Sequence, residues 1–343
     1  MAGNERTPKL GDVAKAARLA PATVSRFLNG SIDLPPATSA RIRAAIAELG
    51  YRPNPYARSL SRGRTDVLAL AIPDIQNPFF SRLASAVDRC AEDAKLSLLL
   101  CSTSNKPARE RDYIERLQRG FFDGLLLATN HVDDGALAEA INRADSNIVL
   151  VDEDVPGAQV AKVFSDNEQG GFLAGRHLLA AGHKEVAYIG GPPNLMSTVE
   201  RRQGLVNAIS SSSDARLACC LENDYTREHG RAAMAEIMAR HPDVTAIFAG
   251  SDEITLGVLE MLREQGLRVG ADISIVTFDD VGLLHLLDPP VTAIRQPTAE
   301  IGRRAFELMA AAITGEHGEA STERLPVRLV ERASVTAPRK GRA

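Results

Sequence analysis

The chain is 343 residues long, 44% apolar and 24% charged, with a net charge of −4, four Cys and no Trp. That length exceeds one ordinary domain, and the apolar share can fill sizeable cores, so two or three domains are expected. Met1 to Arg6 holds no apolar signal core and no run approaches the roughly 20 residues that cross a bilayer, which argues against membrane partners and for the cytoplasm. Cys90, Cys101, Cys219 and Cys220 lack C-x-x-C spacing and read as reduced structural thiols, the adjacent pair being unusual.

In chain order, Leu10, Val13, Ala14 and Ala17 share one helix face, and Val24, Phe27 and Leu28 form a second stripe just beyond a short break. Small Ala14 and Ala17 allow a close crossing, and Pro21 suits the first turn of the second helix, where its missing N–H costs nothing. This is helix-turn-helix spacing. Pro36 to Leu49 predicts a third helix that turns Ile42, Ala45, Ile46 and Leu49 to the first two and stops at Gly50. Residues 1–64 carry eleven Lys or Arg against four Asp or Glu, a local charge of +7 that leaves about −11 on the remainder. A basic head on an acidic body is the footprint of a protein whose one end meets phosphates.

Beyond Gly63 the period changes. Strands are expected at Val67–Ile72, Leu96–Cys101, Gly124–Ala128 and Ile148–Val151, with helices from Phe79 to Asp93 and Arg109 to Arg119. Val186–Ile189, Thr245–Ala249 and Ile273–Phe278 restart the rhythm, and Thr292–Ile294 is expected to return to the first group. Strands alternating with helices predict two α/β lobes of parallel sheets flanked by helices, with ligands beyond the carboxyl ends of strands in the cleft between them.

Asp12-Val13-Ala14, Ala22-Thr23-Val24-Ser25-Arg26-Phe27-Leu28-Asn29-Gly30, Gly50-Tyr51-Arg52-Pro53-Asn54, Ala57-Arg58-Ser59-Leu60, Asn77-Pro78-Phe79-Phe80, Gly182-His183, Phe278-Asp279-Asp280 and Arg295-Gln296-Pro297 occur in one order along the chain. Together they resemble the lactose-repressor (LacI/GalR) family of bacterial transcription regulators over essentially the whole length. The resemblance implies a helix-turn-helix domain over 1–52, a hinge helix and linker over 53–64, and a periplasmic-binding-protein-like core over 65–343. The first lobe of that core is expected at about 65–163 plus 293–322, the second at about 164–292 plus 323–337.

By the same resemblance Pro21, Ala22 and Arg26 face base edges. Arg26 can bond two guanine acceptors, while Pro21 and Ala22 offer apolar contact. Thr23, Ser25 and Asn29 suit phosphates, although Thr23 and Ser25 have their own helix backbone as a local alternative. Asn54, Ala57, Arg58 and Leu60 match the hinge helix, with Leu60 as a minor-groove wedge; the alternative is a Leu buried against the core. The chain departs from the family in having Lys9 where a Thr caps the first helix, which leaves Thr7 before Pro8 as a displaced cap. Arg18 stands where the turn carries Gly, and Ala20 where a Ser caps the recognition helix.

The residues matching the effector pocket are Asp74, Phe79, Phe80, Asp152, Arg201, Ser251, Asp279 and Gln296. Carboxylates that accept from hydroxyls, a forked guanidinium and aromatic rings favour a sugar, sugar acid or polyol. Asp74 and Asn77, or Ser251 and Asp252, also fit as helix caps. Phe79 and Phe80, adjacent on a helix, are expected to diverge, with at least one pointing away.

No Gly-x-Gly-x-x-Gly, P-loop, Gly-x-Ser-x-Gly or metal spacing is present, so no catalytic residue, cofactor or metal is expected. The reading is a dimeric repressor on a pseudo-palindromic operator, released by a small sugar-like effector. The alternatives are a regulator for which effector or phosphoprotein acts as corepressor, and a plain sugar-binding protein. A short basic tail without Leu heptads predicts a homodimer.

Overall fold

The helices of the N-terminal unit form where the apolar stripes place them: α1 (Leu10–Ala17), α2 (Pro21–Leu28) and α3 (Pro36–Leu49). This computed structural model describes residues 8–52, 63–132, 134–144, 147–316 and 320–339, and the chain divides into two compact units, Met1–Asp66 and Val67–Ala343. Val13, Ala14, Ala17, Val24, Ile42 and Ala45 are buried together, with Leu10, Phe27, Leu28, Ile46 and Leu49 packed around them. The start of α1 is closed by Asp12, whose carboxylate accepts the Lys9 N–H at 2.8 Å; Thr7 lies outside the described residues. Arg18 ends α1 in the left-handed region at φ 53°, and Gly50 ends α3 at φ 61°. Ala20 precedes α2 without a side-chain acceptor. Asn54, Ala57, Arg58 and Leu60 also lie outside the described residues.

In the second unit βαβ alternation builds two sheets. The first holds β1 (Val67–Ile72), β2 (Ser97–Ser102), β3 (Gly124–Leu127), β4 (Ile148–Val151), β5 (Ala161–Ser165) and β11 (Thr322–Leu325), in the order β11-β5-β4-β3-β1-β2. The second holds β6 (Glu185–Gly190), β7 (Arg216–Glu222), β8 (Ala246–Ala249), β9 (Ser274–Phe278), β10 (Thr292–Arg295) and β12 (Arg328–Val330), in the order β12-β10-β9-β8-β6-β7. The orders correspond place for place, so β4 and β9 hold the same position in their lobes. Neighbours run parallel except β10 and β12. Helices α4 (Pro78–Asp93), α5 (Pro107–Gln118), α6 (Ala136–Ala144) and α11 (Thr298–Ile313) cover the first sheet. Helices α7 (Asn167–Ala180), α8 (Met196–Ser210), α9 (Arg227–Arg240) and α10 (Asp252–Glu264) cover the second. Both faces of each sheet are therefore apolar, as in Leu68, Leu70 and Ile72 on one side and Ala69, Ala71 and Leu125 on the other.

One expectation is corrected. The strand at Thr292–Ile294 does not return to the first lobe: β10 pairs with β9 and β12 in the second sheet. The chain crosses back after Arg295, contributes α11 and β11 to the first lobe, and crosses again between Leu325 and Arg328. A short β-forming segment specifies a strand but not its partner, which is why the pattern alone misassigned it.

Candidate functional site: a helix surface and an interlobe cavity

On α2, Pro21, Ala22 and Arg26 are exposed, while Thr23, Ser25 and Asn29 are half-buried. Val24 anchors the helix from beneath, so the polar edge is held outward by the burial of its apolar one. This is the only face that α2 can offer to a groove while keeping Val24, Phe27 and Leu28 in the core.

Within the second unit, Phe79, Phe80, Asp152, Arg201, Ser251, Asp279 and Gln296 line a single cavity of about 40 Å³ at the carboxyl ends of the strands. Asp74 is not among them. It is exposed and accepts the Gln76 N–H at 2.9 Å in a tight turn, while Asn77 lines the cavity and accepts the Phe79 N–H as the cap of α4. Phe79 and Phe80 do not diverge: both line the cavity with ring centroids 5.1 Å apart, edge to face. They occupy the first turn of α4, where the helix end, rather than one side of it, meets the cleft.

Asp152 and Asp279 are each the residue after a strand, β4 and β9, at the corresponding place in the two lobes. Both have a left-handed backbone, at φ 71° and 78°. Such φ values are uncommon for a side chain and cluster where geometry serves a site; Asp tolerates them better than most. Burial pushes the Asp152 carboxyl up to about 7, with Arg201 opposing and Asp279 reinforcing. Burial also raises Asp279, against Arg201 and the Gln296 amide that donates to it at 2.5 Å. Gln296 in turn accepts from Ser165 at 2.5 Å.

Arg201 is buried. Its Nε donates to Asn167 at 2.8 Å and its Nη1 to the Gly250 carbonyl at 2.7 Å, with the guanidinium 3.7 Å from the Phe278 ring centroid. Burial lowers its pKa, but Tyr225, Asp279 and Asp152 outweigh that and raise it. Two close approaches hold the backbone that carries it. A Cβ on Gly171 of α7 would fall 2.0 Å from the Arg201 carbonyl oxygen, and one on Gly204 of α8 would fall 1.9 Å from that of Glu168. Only glycine permits this spacing.

Ser251 lines the cavity and also caps α10, accepting the Ile254 N–H at 3.2 Å. The cap and pocket readings thus coexist in one residue. The sequence reading missed Asn130, Glu153, Ser197 and Tyr225, which complete the wall. Glu153 reaches across the cleft, accepting from the Ser197 N–H at 3.1 Å and its hydroxyl at 2.6 Å at the start of α8. Burial pushes it up to about 7, against the Ser197 bonds. Tyr225 lies within hydrogen-bond distance of the Ser197 and Thr198 hydroxyls, at 3.0 and 2.9 Å. Asn130, Glu153 and Tyr225 lie just past β3, β4 and β7, so the rule that ligands sit beyond strand ends could have found them; Ser197, inside α8, carries no such local signal.

Two further bonds tie the lobes. Arg324 of β11 donates to both carboxylate oxygens of Glu200 on α8 at 2.7 Å, and Arg82 of α4 donates to the Asp280 carbonyl at 3.1 Å. The Asp280 side chain is paired with Arg295 and Arg332.

Comparison with known proteins gives the same division. Residues 9–54 match "Bacterial regulatory proteins, lacI family", and residues 176–335 match "Periplasmic binding protein-like domain". The chain is 36% identical to the HTH-type transcriptional regulator CelR of Thermobifida fusca over 95% of this chain and 96% of that protein. It is 31% identical to the HTH-type transcriptional repressor CytR of Escherichia coli strain K12 over 97% and 98%. A transcriptional regulator CelR–cellobiose complex superposes with TM-score 0.73 at 33% identity, covering 95% of this chain and 99% of that one. A Lac repressor dimer bound to operator and the anti-inducer ONPF gives 0.83 at 25%, covering 97% and 100%. No helix among the described residues is long and apolar enough to cross a membrane.

Proposed function

The chain belongs to the lacI family of bacterial regulatory proteins and is a DNA-binding transcriptional regulator, and from that premise we propose that it is a cytoplasmic repressor that holds a pseudo-palindromic operator as a homodimer and releases it when a small sugar-like effector enters the interlobe cavity. The observation that carries this reading is the cavity itself. Both lobes supply a carboxylate from the same strand position, and a ligand bridging Asp152 and Asp279 therefore favours one lobe arrangement over another, which is what coupling to DNA requires. The cellobiose of one relative and the operator of another support the same assignment by analogy.

In this reading Arg26 reads guanine, Pro21 and Ala22 make apolar contact, and Thr23, Ser25 and Asn29 position the helix on phosphates. Asn54, Ala57, Arg58 and Leu60 act as the hinge, with Leu60 wedged into a minor-groove step. Exposed apolar side chains offer surface for a second subunit: Leu99, Leu100 and Phe121 on the first lobe, Leu283 and Leu286 on the second. A patch of this kind on a sheet edge is one that monomers avoid.

The test is selection of bound duplexes from a random pool with the full chain. A two-fold-symmetric site with half-sites about one helical turn apart supports the reading; enrichment of no sequence, with binding that only tracks salt, overturns it.

A further inference from the structure

We propose that the cavity admits an uncharged, hydroxyl-rich ring and rejects the corresponding sugar acid or sugar phosphate. This rests on the effector reading above and narrows it. Its ground is the balance of charge. Asp152, Glu153 and Asp279 line the cavity, and the cation that lines it with them is Arg201. Asp252, the residue after Ser251, adds a fourth carboxylate behind the wall: it is 4% exposed, and its Oδ1 has no hydrogen-bond partner among the described residues. The remaining neighbours do not restore neutrality. Arg82 acts on Asp279 from α4 but donates to the Asp280 carbonyl, while Arg295 and Arg332 are taken by the Asp280 side chain.

The donors and acceptors point the same way. Arg201 has committed its Nε to Asn167 and its Nη1 to Gly250, leaving a part of its fork for a ligand atom. The carboxylates only accept while ionised, and an acceptor needs a donor opposite it. Ring hydroxyls supply that donor to Asp152 and Asp279 and accept in turn from Arg201. A ligand carboxylate or phosphate brings a further negative charge to a wall on which Asp152, Glu153 and Asp279 already outnumber Arg201, and it offers them no hydrogen to accept. Burial raises Asp152, Glu153 and Asp252 to about 7 and Asp279 above its ordinary value, a mark of how poorly the wall tolerates negative charge. Like charges several ångströms apart at a partly screened site repel strongly enough to change affinity on the order of a hundredfold.

The experiment is calorimetric titration of the full chain at pH 7.5 with matched trios. Each trio comprises an aldose, its uronic or aldonic acid, and its phosphate, for ribose, glucose, galactose and the disaccharide cellobiose. In whichever trio binds, the neutral parent is expected to bind on the order of a hundredfold tighter than either anion, and Asp152→Asn is expected to narrow that ratio severalfold. An anion that binds as tightly as its parent, or alone, overturns the charge rule while leaving the effector reading intact. No heat from any member of any trio overturns the effector reading, and with it this inference. A ratio unmoved by Asp152→Asn and equally unmoved by Asp279→Asn also overturns it, because the discrimination would then come from shape.

Discussion

Arg18 shows how a single residue reports on both strain and use. Its φ of 53° closes α1 in a region that costs an ordinary side chain on the order of 1 kcal/mol, where glycine sits freely. Arg18→Gly is therefore expected to stabilise the N-terminal unit by about 0.5–1 kcal/mol, read as a higher denaturant midpoint, with no gain in operator affinity, since a cation is removed. Arg26 belongs to the other class. Arg26→Ala is expected to leave stability nearly unchanged and to cost about 1–3 kcal/mol of discrimination at one base pair of each half-site, measured by competition between the selected operator and single-base variants. Equal losses on all variants would reassign Arg26 to a phosphate. The same scale explains what the sequence hid: Ser251 serves as helix cap and cavity wall at once, and no local pattern separates two roles that one hydroxyl performs together.

At the scale of elements, the three helices of the N-terminal unit and most of the buried strands were legible because their side-chain periods are set by burial, 3.6 for a stripe and continuous for a strand covered on both faces; β5, interrupted by Lys162, was not. Of the edge strands, β2 was legible as Leu96–Cys101, while β11 exposes Thr322 and Arg324 and leaves no apolar run to read. The lobe to which β10 belongs was misread for a related reason, since pairing is a property of the sheet and not of the segment. The cavity was legible where the family resemblance marks it, as at Phe79, Asp152, Arg201, Asp279 and Gln296, and illegible where that resemblance marks no residue, as at Ser197 and Tyr225. Helix packing carries its own prediction. Gly171→Ala forces a Cβ to within 2.0 Å of the Arg201 carbonyl, so α7 and α8 must separate, at a cost of about 1–3 kcal/mol or more. The thermal midpoint should fall by several degrees, and effector affinity should fall with it because Arg201 moves.

For the whole molecule, the buried carboxylates set a pH dependence of known sign. Asp252, raised to about 7 chiefly by burial, keeps its proton in the folded chain at a pH where the unfolded chain has released it. Stability from that group therefore falls as pH rises through 7, and Asp152 and Glu153 act alike. His183 and His229, both lowered by burial, work in the opposite direction below their ordinary value of 6.5, so the clean window lies above it. Between about pH 6.5 and 8 the unliganded chain should lose thermal stability, and Asp252→Asn should reduce that decline; parallel slopes in both proteins would mean that Asp252 does not titrate there.

In the proposed mechanism the cleft and the DNA surface are two ends of one equilibrium. The most direct measurement is the affinity of the full chain for its selected operator, by fluorescence anisotropy at fixed salt, with and without the sugar that binds in calorimetry. A weakening of tenfold or more at saturating sugar, abolished by Asp279→Asn while operator binding in its absence survives, is the predicted result. Tighter operator binding with sugar would contradict release by an inducer and make the ligand a corepressor, and an unchanged affinity would uncouple the cavity from DNA altogether.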